Sequence, residues 1–596
     1  MKTHKEMTNL EVSELLQNVA AAYKLKDENK YRFQIIAYER AADAIEHLSS
    51  EVKDVWDEGK LDDIPGVGKS IAQHLDEIYK TGNSKHFEKL MKGIPPATFE
   101  LMKVPGVGAI SAYRLANELG IKKDKDAIKK LKGAAEKGEI ENFEGFGKDS
   151  QEQILNATGE VKDVRKKRMI LPYACKLSEE IVEWLKKDKN VKRVDTLGSL
   201  RRKASTVEDI DISVASSDPQ KTLDHFVKYP KSKRTIEKGD STATILLPGE
   251  RHVDLMVVKP ESYGSLLQHF TGSKHHNIAL REYALNLGLS LSEYGIKDKK
   301  NNKVHKFENE EEFYEFLKLE YIPPELREDT GEIEASKNGE VPKLIELKDT
   351  KADLQIHSNF DIETSHDLGA SSMNDVLNKA NLLGYEYIAF TEHNPSKSKH
   401  NNDEIYSLLM RKKDVIEKIN DSLRINENTR VKHVYNSLEI DILPDGSLPV
   451  DDKSLDLLDF ALVSIHSSFR QSRDEMTERV LTALDNPKVK IFAHPIGRKL
   501  GEREGVEIDW NKVFEFCLKN DKWIEINCDP ERLDLPDFLV KDAIEKGIKL
   551  TLGTDAHHAD HMENMCWGVS VARRGWAQKY DIVNTLPYKD FKKLLK

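Results

Sequence analysis

From residue 351 onward, short apolar runs recur along the chain, and nearly every one ends on a residue able to bind a metal. The runs are Asp353–His357, Tyr387–Thr391, His433–Ile442, Phe460–Ile465, Val489–Ala493, Trp523–Asn527 and Leu550–Gly553. Helical periods separate them. Strand and helix in strict alternation predict a barrel-like α/β domain, whose chemistry collects beyond the carboxyl ends of the strands. His357, Glu392-His393, Glu439, His466, His494 and Asp555-Ala556-His557 each lie in or at the end of a run. Imidazole and carboxylate without thiolate suit Mn2+, Zn2+ or Fe2+. One such histidine alone would be an ordinary core or surface residue. Six strands carrying such residues at once predict a metal centre.

At 596 residues the chain exceeds what one core can organise. Its beginning is helical throughout and contains a repeat: Leu61-Asp-Asp-Ile-Pro65-Gly66-Val67-Gly68 returns as Leu101-Met-Lys-Val-Pro105-Gly106-Val107-Gly108, 40 residues on. Ala72/Ala112 and Leu75/Leu115 keep the register, and Glu144-Gly145-Phe146-Gly147-Lys148 is a weaker third copy. Each copy enters a helix. Gly66, Gly68, Gly106 and Gly108 free backbone N–H groups at a helix start to approach a phosphate. Such contacts hold a nucleic-acid backbone without reading its sequence. A single copy would be an ordinary turn between helices; two in register predict paired helix-hairpin-helix elements on DNA. A basic run over 162–168 marks a boundary.

Near Val191 the period changes to two. Strands are predicted at Val191–Leu197, Asp209–Val214, Ala243–Leu247 and His252–Val258, the last two joined as a hairpin by Pro248-Gly249-Glu250. Residues two apart in a strand face the same way, roughly 6–7 Å apart. Asp209 and Asp211 therefore point together, and Asp254 in Val253-Asp254-Leu255 can complete a carboxylate trio. Hard oxygen ligands of this kind suit Mg2+ or Mn2+. Asp-x-Asp alone would be a solvated strand face. Here Gly198-Ser199 and Arg201-Arg202 precede it, a turn and a charge able to hold phosphate oxygens. Helical periodicity returns over Phe313–Leu319, and 323–350, with Pro323-Pro324, Gly331 and Gly339, predicts a linker.

Lys+Arg number 92 against Asp+Glu 103, a net charge of −11, so nucleic-acid binding must rest on local patches and backbone contacts. No run of eighteen apolar residues occurs, no secretory signal stands at the start, and Cys175, Cys517, Cys528 and Cys566 form no CxxC pair. A monomer in a reducing cytoplasm, away from membranes, is expected.

Residues 1–330 resemble the family X DNA polymerases. The resemblance continues through Phe270-Thr271-Gly272-Ser273, Asn277, Arg281, Leu291-Ser292-Glu293-Tyr294 and Tyr321–Glu328. It implies that Asp209, Asp211 and Asp254 are the metal-binding catalytic acids and that Ser199 and Arg202 contact the triphosphate. Phe270, Gly272 and Ser273 would pack against the incoming dNTP, with Asn277 and Arg281 on the nucleotide and template minor groove. The remainder resembles the polymerase-and-histidinol-phosphatase domain, a distorted (β/α)7 barrel with three metals. Asp353–Ser358, Thr391–His393, Leu438–Asp441, Ser464–Ser467, Ala493–Arg498 and Gly553–His557 carry that likeness. It implies His357, His393, Glu439, His466, His494, Asp555 and His557 as ligands, with Mn2+ first and Zn2+ or Fe2+ as alternatives, and Arg498 as a phosphate contact.

The resemblance divides the chain into a helix-hairpin-helix domain with a lyase-like fold (1–85), a second such subdomain (86–165) and an α+β nucleotidyltransferase palm (166–260). A nucleotide- and template-contacting part (261–325), a linker (326–350) and the metal-dependent phosphoesterase (351–596) follow. It implies a repair polymerase filling short gaps in gapped or nicked DNA, with a 3′→5′ exonuclease behind it. The alternative is a repair nuclease whose polymerase half mainly binds gapped DNA.

Several positions depart from the family pattern. Lys203 and Glu208 stand where glycine is common, and a salt bridge from Glu208 to a neighbouring lysine is expected, with slower turnover. His74 occupies the place of the Schiff-base lysine, and Lys69 is out of register with it. Gln355 replaces the first histidine of a His-x-His pair, Asp361-Ile362-Glu363 replaces Ser-Asp-Gly, and Glu392 replaces the commoner Asp.

Overall fold

In the computed structural model the three glycine copies fold alike. Val67, Val107 and Phe146 donate their N–H groups to the carbonyls of Ile64, Val104 and Phe143 at 2.9–3.0 Å. The helix that follows each turn starts with Ala72, Ala112 and Gln151 donating to Gly68, Gly108 and Gly147. These helices are Lys69–Thr81, Ala109–Glu118 and Lys148–Glu160. Ile64, Val67, Val104 and Val107 are buried and fix each turn to its core. The structure describes all residues except 1–6, 8, 47–51, 58, 65, 105–106, 124, 144, 161–167, 427–428, 504 and 596. Gly106, Glu144 and most of the basic run 162–168 thus lie outside the described residues.

The chain forms two compact units, 1–169 with 175–196 and 208–260, and 170–174 with 197–207 and 261–596. Besides the helices, the first unit holds a five-stranded sheet in the order Val191–Thr196, Ile210–Ser216, Arg251–Val258, Thr242–Leu247, Arg234–Lys238. Ile210–Ser216 and Arg251–Val258 run parallel; the other pairings are antiparallel, including the predicted hairpin across Pro248–Glu250. Alternation places Ile210, Ile212, Val253 and Leu255 in the core. The strand Arg234–Lys238 was not predicted: all five residues are exposed, so no apolar period marks it.

The second unit begins with helices Tyr263–Thr271 and Lys274–Asn286, a small antiparallel sheet over 289–305, and helix Glu310–Phe316. A buried triad ties these parts together: Arg327 Nη1 donates to Glu310 Oε1 at 2.6 Å, and Arg201 Nη1 to the same oxygen at 3.0 Å. Residues 326–350 are more than a spacer. Gly331 and Gly339, both at positive φ, cap a helix Glu332–Asn338, and Ile345 N–H donates to the Ala577 carbonyl at 2.9 Å.

Among the described residues, eight parallel strands follow. Ala352–Ile356, Tyr387–Phe390 and His433–Asn436 form one sheet; Glu439–Asp441, Ala461–Ser464, Val489–Phe492, Trp523–Asn527 and Leu550–Gly553 form another. The predicted strand His433–Ile442 is thus two. Single bridges, Ile356 with Ala556 and His393 with Glu439, connect the sheets, and no continuous ladder closes them among the described residues. Strand residues alternate between two cores. Tyr387, Leu462, Ile491 and Trp523 pack with Phe591 on one face, while Ile388, Val463, Phe492 and Ile524 pack on the other.

Candidate metal centres and phosphate-binding turns

In the first hairpin Gly66 sits at φ +86°, and a Cβ there would come 3.2 Å from the Arg40 carbonyl oxygen. Glycine is therefore needed for the turn itself, whatever binds outside. Gly68 and Gly108 differ: they cap their helices in extended backbone, and a Cβ would meet open space. Their N–H groups stand at a free helix start, where an anion is favoured. His74 stacks on His86 with ring centroids 4.5 Å apart, and the Tyr23 hydroxyl lies 2.7 Å from His86 Nε2. Burial lowers both imidazoles, with each other's neighbourhood adding to the effect for His74.

Asp211 and Asp254 are direct partners across the parallel strand pair. Adjacent strands lie about 4.8 Å apart, so the two carboxylates leave the sheet side by side. Asp209 lies immediately before the strand that carries Asp211. All three are half-buried, while the alternating residues Ile210, Ile212, Val253 and Leu255 are fully covered. Thr244 Oγ1 donates to Asp254 Oδ1. This oxygen-only donor set fits divalent Mg2+ or Mn2+. Glu208 has Arg168 Nη1 at 3.6 Å, and both side chains are about half exposed; the lysines of the neighbouring basic run lie outside the described residues.

The phosphate-binding candidates fall in the other unit. Gly198–Arg201 is a single helical turn with Gly198 at φ +55°. Lys203 lies at φ +57°, a left-handed conformation that glycine adopts without cost, which is the physical reason for glycine at this position in the family. Arg202 Nε donates to Glu328 at 2.9 Å, and its Nη1 to the Thr271 carbonyl. Ser273 caps helix Lys274–Asn286 through the His276 N–H. Asn277 Nδ2 donates to the His269 carbonyl at 2.7 Å, Phe270 is half-buried, and Arg281 is exposed.

The other six predicted barrel ligands gather around Glu439, itself fully buried. His357 Nε2 lies 3.2 Å from Glu439 Oε2 and 3.2 Å from Asp555 Oδ1; His494 Nε2 and His466 Nε2 lie 2.9 and 3.3 Å from Glu439 Oε1. His393 Nδ1 is 3.7 Å from the same carboxylate, and the His557 ring stacks 4.3 Å from His357. Ligating atoms fall within 4.8 Å of one another in four trios: His357/His393/His557, His366/Asp441/His466, His393/Glu439/His466 and His357/Glu439/Asp555. The His393 and His494 Nδ1 atoms are buried without a hydrogen-bond partner among the described residues. Unpartnered imidazole nitrogens facing carboxylates fit Mn2+, Zn2+ or Fe2+.

Burial lowers an imidazole, but at His357 the carboxylates of Asp555 and Glu439 outweigh it and push it up to about 10. His393 goes the other way: burial, reinforced by the other imidazoles, holds it well below the ordinary histidine value. Burial also raises Glu525, which accepts the His494 N–H at 2.7 Å.

Four residues of this site escaped the sequence reading. His366 Nε2 and His466 Nδ1 both meet Asp441 Oδ1, at 2.9 and 2.8 Å. His366 belongs to the loop that departs from Ser-Asp-Gly, and it enters the cluster while Ile362 turns into the core. A histidine soon after a lost acidic ligand was the signal available. Gln355 is no empty ligand position: its Nε2 donates to Glu439 Oε2 at 2.8 Å and fixes that carboxylate. Arg498, read as a phosphate contact, donates instead to the carbonyls of Arg532 and Leu533. Arg532 is the arginine at the cluster, its Nε 3.6 Å from Asp555. Glu392 pairs with the buried Lys412 and accepts from Ser358 Oγ at 2.6 Å.

A helix-hairpin-helix domain model matches residues 7–84, and a DNA polymerase beta thumb model matches 266–328. The chain is 34% identical over 593 residues to the DNA polymerase/3′-5′ exonuclease PolX of Bacillus subtilis, spanning 99% of this chain and 100% of that one. It is 23% identical over 309 residues to rat DNA polymerase lambda, about half of each chain (48% and 49%). A probable phosphatase of Thermoanaerobacter sp. is 29% identical over 134 residues, 21% of this chain and 52% of that one. The chain belongs to the family X DNA polymerases (PolX), and it is an enzyme. No described helix is long and apolar enough to cross a membrane.

Proposed function

We propose that this polymerase fills short gaps in DNA and trims 3′ ends through the cluster around Glu439. The in-register pair Asp211/Asp254 supports the first half of this reading, and the gathering of six predicted ligands around the Glu439 carboxylate supports the second. Asp209, Asp211 and Asp254 bind the catalytic Mg2+ or Mn2+; His357, His393, Glu439, His466, His494, Asp555 and His557, joined by His366 and Asp441, hold Mn2+, with Zn2+ or Fe2+ as alternatives. Bound divalent ions supply Lewis acidity and activate a hydroxyl or water at either place. Ser199 and Arg202 hold the triphosphate while the primer 3′-oxygen attacks the α-phosphate and pyrophosphate leaves. Phe270, Gly272, Ser273 and Asn277 orient the nucleotide, and Arg281 meets the template. The hairpin backbones at Gly66, Gly68, Gly106 and Gly108 grip phosphates without sequence preference.

At the second place, Gln355 and Asn527 orient the carboxylates, with Asn527 Nδ2 3.3 Å from Gln355 Oε1 and 3.4 Å from Asp555 Oδ2. Arg532 faces the scissile phosphate. On this reading the parallel strands act as a distorted (β/α)7 barrel. An imidazole forms no Schiff base, so His74 supplies no lyase chemistry of that kind. The Glu208–Arg168 pair, which offsets the Glu208 charge, supports an active polymerase over a half that only binds DNA. A 5′-phosphorylated one-nucleotide gap with Mn2+ tests the reading: dNTPs should give extension, and their omission 3′ degradation. Neither product appearing would overturn it.

A further inference from the structure

Arg574, the last residue of helix Met565–Arg574 in the C-terminal domain, reaches the residues that hold Arg202. Its Nη1 donates to Glu328 Oε1 at 2.9 Å and to the Arg202 carbonyl at 2.8 Å. Its Nε and Nη2 both face Asp537 Oδ2 at 2.6 Å. Glu328 Oε1 is therefore shared: Arg202 Nε donates to it from one side and Arg574 from the other. Arg202 Nη1 is committed to the Thr271 carbonyl, and a Cβ on Gly272 would come 3.0 Å from that same Nη1. Only Nη2 of Arg202 has no partner among the described residues. Arg574 is 9% exposed and Arg202 13%, so water screens these charges little.

We propose that Arg574 is a positioning residue for nucleotidyl transfer, fixing the Arg202 guanidinium through Glu328 and offsetting the Glu328 charge. The inference rests on the reading of Arg202 as a triphosphate contact. Two arginines balance two carboxylates here, Glu328 and Asp537. Without Arg574, Glu328 closes on Arg202 alone and neutralises the charge meant for the nucleotide, and the Arg202 backbone loses its donor. The consequence is confined to nucleotide binding, because Arg574 touches none of the residues around Glu439.

The test is steady-state gap filling by the full-length chain with dNTP varied, beside 3′ degradation without dNTP. Arg574→Ala should raise the dNTP KM about tenfold, within the coupling seen among residues of one charge network, with kcat little changed. Degradation should stay at the wild-type rate. Adding Glu328→Gln to Arg574→Ala should restore part of the KM, because the unbalanced carboxylate is gone. A merely structural role predicts the opposite, a further loss. Arg574→Lys keeps the charge and should fall between wild type and Ala, which preserves the test if the Ala variant folds poorly. An unchanged KM in Arg574→Ala, or no rescue in the double variant, overturns the proposal. Arg202→Ala separates the two claims. If it leaves KM unchanged, the triphosphate reading has failed; if it raises KM while Arg574→Ala does not, only the positioning role has.

Discussion

Replacing Glu439 by Gln keeps the shape of the cluster and removes the charge at its centre. Glu439 belongs to two of the four ligand trios, and three imidazoles lie within 3.3 Å of its oxygens. Loss of a partner that only orients a metal ligand costs about 10–100-fold in affinity or activity. A shared ligand acts on two sites, so the combined loss is about 10²–10⁴-fold where both ions are needed. At Mn2+ near half-saturation, 3′-end degradation should fall by that factor, and metal content after dialysis against buffered Mn2+ should drop by at least one ion. Primer extension should persist, since Asp209, Asp211 and Asp254 belong to the other compact unit. The measurement is a labelled 3′ end followed without dNTP, beside metal analysis of the same samples. A Glu439→Gln chain with wild-type metal content and degradation would refute the assignment of Glu439 as the shared ligand. Loss of degradation with full metal content would show that Glu439 acts on the substrate and holds no ion.

Asp254→Ala should reduce primer extension by at least about 10²-fold, the scale for losing a charge-stabilising group, while gapped-DNA binding measured by anisotropy stays near wild type. Gly68→Val and Gly108→Val should each weaken DNA binding about tenfold, the worth of one hydrogen bond to a charged group, because the added side chain stands outside the fold at the helix start. Gly66→Val is the poorer test, since its positive φ makes that variant misfold locally. His366→Ala should lower the metal content by about one ion and slow degradation about 10–100-fold without affecting extension. Glu310→Ala leaves Arg201 and Arg327 buried against one another, so thermal or urea unfolding should show a loss of about 3–5 kcal/mol.

Much of the architecture was legible because it is written in periods and glycines. The 40-residue repeat fixed the hairpins, and even the third copy, without its proline and valine, folds into the same turn. Period-two alternation located the strands bearing Asp211 and Asp254, and strand-end histidines located the cluster of imidazoles and carboxylates around Glu439. The rest was hidden where a side chain's partner is distant in sequence. Arg234–Lys238 joins the sheet through backbone bonds alone, and its exposed side chains carry no pattern. Residues 326–350 looked like a linker because glycines and acids dominate there. Yet Glu332 is buried against His276 Nδ1 at 2.6 Å, and such a pairing has no local signature.

The same limit explains why the partners of Gln355 and Arg498 were not legible in the sequence. A motif gives the residue type wanted at a position, not the atom it faces. Gln355 sits within the cluster but turns its amide to Glu439 and its carbonyl to Asn527, so it orients ligands. Arg498 holds the backbone of 532–533 and thereby places Arg532 beside Asp555. Lys412 is the counterpart in an apolar setting: a fully buried ammonium meeting Glu392 and the carbonyls of Phe390 and Ser437. Burying an ion costs several kcal/mol unless such partners compensate; here, at the ends of the strands that lead to His393 and Glu439, burial outweighs Glu392 and holds Lys412 below the ordinary lysine value. His393 Nδ1 and His494 Nδ1, equally buried, have no such compensation within the protein. Leaving a polar atom in that state costs about 1–3 kcal/mol each. Metal ions bound at the proposed centre would offset that cost.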